Sequence, residues 1–505
     1  MLSLPLRYGF LLAALVAVGC GSKVPKSPSQ EPSAVDDDAD DATDDDDKAP
    51  SNTSRDASAP RIDAGPQQRM DAGSTLPKDG GAKADAGSEP IVPVKFAGEG
   101  TTWLDTTPRA TCSEGDKPDG TIGALSGDFR CNLTVKGQVE APHFLSLAWL
   151  DDCAYVNGAD GTTVIQVSPE GTPTVTTMLT EIGFRSNWES MKASPESKLL
   201  AGYESNGATL TVYDLSADCK APVLQSSTQL GALGSIGHAG SFSPDGTIYY
   251  ASSMYTASIF AIDLALPKKP VVISSTFDKS AHDLFIGKGG TRGYFAYPNL
   301  TTFNVGSLAI MDLTDVQKRT PDAKGKLIKE LQWEDGNISQ YPLAIHYGGQ
   351  DFLVITDELG SGNCDDPKKP QWGYARIFDI RDEQNPKLVS VIKTEAQDPK
   401  NCKAAGEAAG GTSGFGLGTH YCNVDRLDDP RVLACGNWDA GLRVYDIRNP
   451  WLPKEVAYFD TPTGNLPGLA RILPDKREIW IAMVPSTFYV LKITPGSALD
   501  RVFAE

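Results

Sequence analysis

From residue 140 onward, short apolar runs alternate with turn residues, and one pattern recurs. At 436–460 an apolar run, Leu442 to Ile447, leads through Asn449-Pro450 and Pro453 to a second run, Glu455 to Phe459. Copies lie at 375–394, 258–277 and 210–229, weaker ones at 308–315 and 162–179, and a truncated one at 488–493. The apolar runs centre near 165, 213, 262, 310, 378, 445 and 490, mostly 45 to 49 residues apart with two spacings stretched by roughly twenty. A fixed period of this length marks a repeat architecture. Each unit holds several short strands and no helical periodicity, which selects a radial β-propeller over a helical solenoid. The chain is therefore predicted to be all-β, a seven-bladed β-propeller over 140–505, preceded by a disordered acidic linker.

An apolar strand ending in Asp, a linker with an N-P-x-x-P flavour and a Val-rich strand together resemble the LVIVD-repeat family of secreted bacterial propellers. The strand-ending residues are Asp214, Asp263, Asp312, Asp379 and Asp446, and the match is clearest in RIFDIRDEQNPKLVSVI and GLRVYDIRNPWLPKEVAYF. Gln166 and Lys492 stand where the first and last copies would carry the Asp. The resemblance implies a fold and leaves the chemistry open, because the family is defined by its repeat.

The last copy lacks room for a full blade. The lead-in segment, 96–139, contains FRCNLTVKG at 129–137, which alternates as a strand does and is expected to supply the missing outer strand. The rival for that place is Leu499 to Phe503. Closure matters because an open ring exposes strand edges.

Ahead of the repeats, residues 1–20 read as an export signal: Arg7, an apolar run from Phe10 to Val18, then Ala17-Val18-Gly19-Cys20. The run is too short to span a bilayer. Cys20 resembles the acylated cysteine of bacterial lipoproteins, the alternative being a plain cleaved signal. Acyl chains, such as palmitate, would tether the protein to a membrane without a spanning helix. Gly21 rather than Asp after the cysteine favours the outer membrane. Residues 21–95 are rich in Pro, Ser, Ala, Gly and Asp, too poor in apolar surface to offset ordering entropy. Asp36 to Asp47 carries nine aspartates in twelve positions, a self-repelling spacer or, as the weaker reading, a calcium tract. A net charge of −19 without a basic patch argues against nucleic acid.

Setting Cys20 aside, eight cysteines remain in an exported chain, which favours disulfides. Cys422 and Cys435 sit on one hairpin, and Cys364 and Cys402 lie in the insertions around blade five. Cys112–Cys131 and Cys153–Cys219 then follow by elimination and proximity. Zinc is disfavoured because no close C-x-x-C exists.

Only five histidines occur, and four share a register. Aligning 279–297 with 417–435 superposes His282 on His420, and His238 and His143 fall within a residue or two of that place. Four blades thus begin their innermost strand with His. Trp188 or Glu189, Tyr341 and Gly468 stand there in the others, while His346 is off-register. Glu204, Asn299, Asp357, Glu358 and Asp439 are expected in or beside the loops on the same face.

Imidazoles and carboxylates on one channel mouth suit a transition metal, or a small ligand or peptide between walls of Trp188, Tyr341 and Trp438. The structural alternative is a histidine that only hydrogen-bonds its own or the neighbouring blade. Calcium is a further candidate at the acidic 355–366 segment, against an ordinary solvated loop. The glycine-dense run 406–418 reads as a flexible loop. No nucleophile elbow, phosphate loop, metalloprotease helix or dinucleotide fingerprint is present. The resulting expectation is a binding or scaffolding module for a protein, peptide or small ligand. The alternative is a metal-dependent oxidoreductase or hydrolase using the histidine mouth.

Overall fold

A computed structural model of the protein describes residues 94–504 apart from 120–126, 143–145, 186, 206, 231–236, 254–257, 298–304, 361–363, 367–369, 409–414, 462–467 and 484–485. The export signal, Cys20, the spacer as far as residue 93, His143 and Asn299 therefore lie outside the described residues.

Seven antiparallel sheets follow one another along the chain, each running outward strand by strand. Blades one to six span 147–179, 192–229, 239–274, 283–333, 337–392 and 419–459. Blade seven takes its inner three strands from 471–493, and its outer strand is Leu133–Glu140, paired with Thr487–Ile493 from Leu133 opposite Ile493 to Glu140 opposite Thr487. The lead-in strand thus closes the ring. Its rival is excluded, because Ala498–Ala504 is a helix. Leu499, Val502 and Phe503 recur at the helical spacing, not the period of two that a strand needs, and all three are buried.

The core is divided among the blade-to-blade contacts. Separate apolar clusters fill each of the seven joints, for example Tyr155, Val164, Leu200 and Tyr213 between blades one and two. Trp480, Phe488, Val156 and Ile165 do the same across the closing joint between blades seven and one. A single four-stranded sheet has two apolar faces and no way to cover them, so the ring is the unit that folds.

The recurring Asp has a local structural task. Each one ends a third strand and accepts a backbone N–H two residues on: Ser216 to Asp214 at 2.8 Å, Ala265 to Asp263 at 2.9 Å, Thr314 to Asp312 at 2.9 Å, Arg381 to Asp379 at 3.0 Å and Arg448 to Asp446 at 3.1 Å. This Asx turn starts the reversal toward the fourth strand. Every third-to-fourth pairing also carries one register shift, which sharpens the twist of the outer strand.

Segment 94–119 straps the outside of blades five and six. Phe96 inserts beside Tyr347 and Trp451, with ring centroids 5.4 and 5.5 Å away. Trp103 exchanges backbone hydrogen bonds with Val389 and Val391. Farther on, Asp119 reaches buried Arg443, which also holds Glu455. Arg130–Cys131 adds a fifth strand to blade six. All four expected disulfides are formed: Cys112–Cys131, Cys153–Cys219, Cys364–Cys402 and Cys422–Cys435. The glycine-dense run differs from its expected form at its start, where Cys402–Ala408 is helical and tied by Cys364. Among the described residues, no helix is long and apolar enough to cross a membrane.

Candidate functional site

The first strands of the blades face the axis, and the ring brings their starting residues together. His238 precedes the first strand of blade three, and its N–H donates to the Ser252 carbonyl of the second strand at 2.8 Å. His282 occupies the equivalent place in blade four, donating to Ala296 at 2.6 Å. His420 lies at the start of blade six's first strand, Thr419–Val424. The shared register read from the sequence is real for these three.

Glu189 joins them. Its backbone N–H donates to the carbonyl of His238 at 3.1 Å, and Ser190 locks the preceding loop by donating to Asn187 at 2.7 Å. Trp188, just before it, sits at φ +47°, a costly conformation for a large side chain. Its ring stacks on His238 with centroids 5.6 Å apart.

The side chains then converge from opposite sides of the ring. Glu189 Oε2 is 2.8 Å from His238 Nε2, and Glu189 Oε1 is 3.1 Å from His420 Nε2. His420 Nε2 is also 3.2 Å from Oε1 of Glu358, which lies one residue before the end of the second strand of blade five and accepts from Trp438 Nε1. His238 and His282 rings lie 4.6 Å apart. Nδ1 of His282 faces the Ser339 carbonyl of blade five at 3.0 Å. Five blades thus contribute to one group whose members are only 1 to 6 % exposed. The group at this mouth is thus buried.

Burial sets the protonation pattern. It pushes the imidazole of His282 down to about 3, with His238 adding to the effect, so His282 is neutral. Burial also lowers His420 against the pull of Glu189. The same burial would raise Glu189, but His238 and His420 outweigh it and hold the carboxylate well below its ordinary range. Glu358 goes the other way: burial and the Glu189 charge raise it well above. The two neighbouring carboxylates are thus pushed in opposite directions. A further polar group continues from the same strands, with Tyr421 donating to Asp283 Oδ2 at 2.6 Å and Lys192 Nζ 3.6 Å from that oxygen.

Other expected residues fall elsewhere. Glu204 is half-buried with its carboxylate against Gly207, and Asp439 is buried within electrostatic reach of Asp460. Neither belongs to the donor group formed by Glu189, His238 and His282. Asp357 is taken up by Arg376, Ser339 and Trp333. His346 pairs with Asp351 at 2.8 Å, away from the axis register. Of the expected walls, Trp188 and Trp438 flank the imidazoles, and Tyr341 packs on Tyr421 at 5.0 Å. Glu189 was named in the sequence only as an exception to the histidine register. The signal was there, since it holds the same place in blade two.

This architecture and its axial cluster define a seven-bladed β-propeller with a polar, carboxylate-and-imidazole centre. No family model matches the chain. No curated protein matches it either. Among solved structures, the chain is similar to hydrazine synthase of Kuenenia stuttgartiensis, with a TM-score of 0.50, 12% identity, and 68% of this chain and 94% of that one covered. A hypothetical selenium-binding protein from Sulfolobus tokodaii follows with a TM-score of 0.47 and 15% identity, over 66% and 82% of the two chains. At such identities the likeness concerns the fold alone.

Proposed function

We propose that this protein is an exported, lipid-anchored propeller of the LVIVD-repeat kind, serving as a binding module at the cell envelope with the axial cluster as its binding centre. One observation carries the reading. Glu189 Oε2, His238 Nε2 and His420 Nδ1 are buried without a partner in hydrogen-bonding geometry, although Glu189 Oε2 and His238 Nε2 sit at ion-pair distance. Leaving buried polar atoms without directed hydrogen bonds costs about 1–3 kcal/mol each. A bound ligand would recover that loss.

Four disulfides support export, since such bonds persist in oxidising compartments. In this reading residues 1–19 of the signal (1–20) are removed, Cys20 becomes the acylated amino terminus, and residues 21–95 hold the propeller (140–505, closed by the lead-in 96–139) away from the membrane. The residue after Cys20 favours the outer one.

Native mass spectrometry of the full chain tests the binding centre. A non-covalent mass above that of the polypeptide is expected, and it should disappear in Glu189→Gln with His420→Gln. A wild-type mass equal to the polypeptide plus its acyl groups overturns the reading. The anchor is tested separately: labelled palmitate should be incorporated by the wild type and not by Cys20→Ser.

A further inference from the structure

Resting on that binding centre, we propose that its ligand is a divalent first-row transition-metal ion held by Glu189 Oε2, His238 Nε2 and His282 Nε2. The three donor groups lie within 4.8 Å of one another, all buried. Around an ion at roughly 2.0–2.2 Å, two such donors stand about 3–3.5 Å apart, so small side-chain shifts complete the first coordination sphere. Two imidazoles and one carboxylate are borderline ligands. They favour zinc, copper, nickel, cobalt, iron or manganese over calcium or magnesium, which take oxygen.

The surroundings are those a metal-binding imidazole needs. His282 uses Nδ1 toward the Ser339 carbonyl at 3.0 Å, so Nδ1 carries the proton and Nε2 presents its lone pair to the axis. Ser339 is itself fixed, its hydroxyl donating to Asp357 at 2.6 Å and accepting from Ser307 N–H at 2.8 Å. His420 grips the far oxygen of Glu189 at 3.1 Å and thereby aims Oε2 at His238, making it a positioning residue. Trp188 and Trp438 shield the group on two sides. Three protein donors leave coordination positions open, as in sites that also bind a water or small anion.

The full chain, carrying no histidine tag and purified without chelator, is first analysed for metals. It is then stripped and titrated with Co²⁺, followed by visible absorption and by the rise in Tm. The proposal expects one tightly held ion per chain and a Co²⁺ spectrum with nitrogen ligation. Affinity should fall by about 100-fold or more in His282→Gln and His238→Gln, and by roughly 10–100-fold in His420→Gln. His346→Ala should bind as the wild type does. Circular dichroism of each stripped variant separates lost binding from lost fold, and if one histidine variant fails to fold the other carries the comparison. Absence of saturable Co²⁺ binding by the folded wild type overturns the metal assignment, as does equal loss in His346→Ala. If native mass spectrometry nonetheless shows a bound organic mass, the binding centre stands and only its ligand is wrong.

Discussion

Ring closure by the strand ahead of blade one makes a sharp mechanical prediction. Leu133 is fully buried against Leu442, Val444, Leu491 and Ile493, whereas Val135, two residues on and still paired with Leu491, is 39 % exposed. Leu133→Ala removes three carbons from a filled site and leaves a cavity at the joint between blades six and seven, a change that costs about 2–5 kcal/mol. Val135→Ala removes half-solvated methyls and should cost under about 1 kcal/mol. With an unfolding entropy near 2.1 cal/mol/K per residue over the described residues, a 3 kcal/mol loss lowers Tm by about 3–4 °C. Differential scanning calorimetry on the oxidised protein reads both. Gly137 offers an independent probe of the same closing strand on its other side, at the joint with blade one, because a Cβ there would stand 2.5 Å from the Gly171 carbonyl oxygen. Gly137→Val should therefore also destabilise. A Leu133→Ala cost no greater than that of Val135→Ala would mean that the strand does not close the ring.

Three further outcomes follow from buried charge and covalent ties. Burial raises the Asp460 carboxyl to about 7 from 3.8, with Asp439 and Asp119 adding to the rise and Arg443 opposing it. The folded state therefore holds a proton that the unfolded chain releases, and its contribution is lost as pH rises from about 4 through 7. Asp460→Asn should be near neutral at pH 4.5 and stabilising at pH 8, by up to about 4 kcal/mol, in thermal melts. Arg443, buried between Asp119 at 2.9 Å and Glu455 at 3.1 Å, should cost about 3–5 kcal/mol as Arg443→Met. Adding Asp119→Asn and Glu455→Gln should recover most of that loss in urea titrations. Removing Cys364–Cys402, which closes a separation of 38 residues, should cost up to about 4 kcal/mol. Proteolysis should then cut the insertion after blade five before it cuts the blades.

Much of this was legible because a repeat reports the same physics several times. The Asp residues marked third-strand ends, and each proved to cap a turn. The histidine register gave the axis, since position within a repeat translates into radius in a ring. What failed was whatever depends on the direction of one side chain. Glu204 and Asp439 lie in loops after second strands, as expected, but the Glu204 carboxylate sits against Gly207 and Asp439 lies within electrostatic reach of Asp460. Leu499 to Phe503 was weighed as a strand although its apolar spacing is helical. The strap at 94–119 has no periodicity, so its docking through Phe96 and Trp103 left no trace in the pattern.

Two residue types recur in register here, and the structure separates them by where their polar atoms go. An Asp at the end of a third strand is satisfied within its own turn, by a backbone N–H two residues away, so its recurrence needs no ligand and its loss should be felt one blade at a time. The imidazoles have no such local partner. His238 turns to Glu189 of blade two, His282 to Ser339 of blade five, and His420 to Glu189 and Glu358 of blades two and five. His238 and His282 reach only the neighbouring blade, but His420 reaches across the axis to blade two, farther than a residue that only stabilised its blade would need. Nor would blade stability be served by gathering a carboxylate and three imidazoles in a buried site, where the desolvation cost is large. The arrangement becomes economical once a cation sits among them, because the carboxylate then meets positive charge and the imidazole lone pairs meet an acceptor. On that argument the recurrent Asp builds the ring and the recurrent His is what the ring was built around.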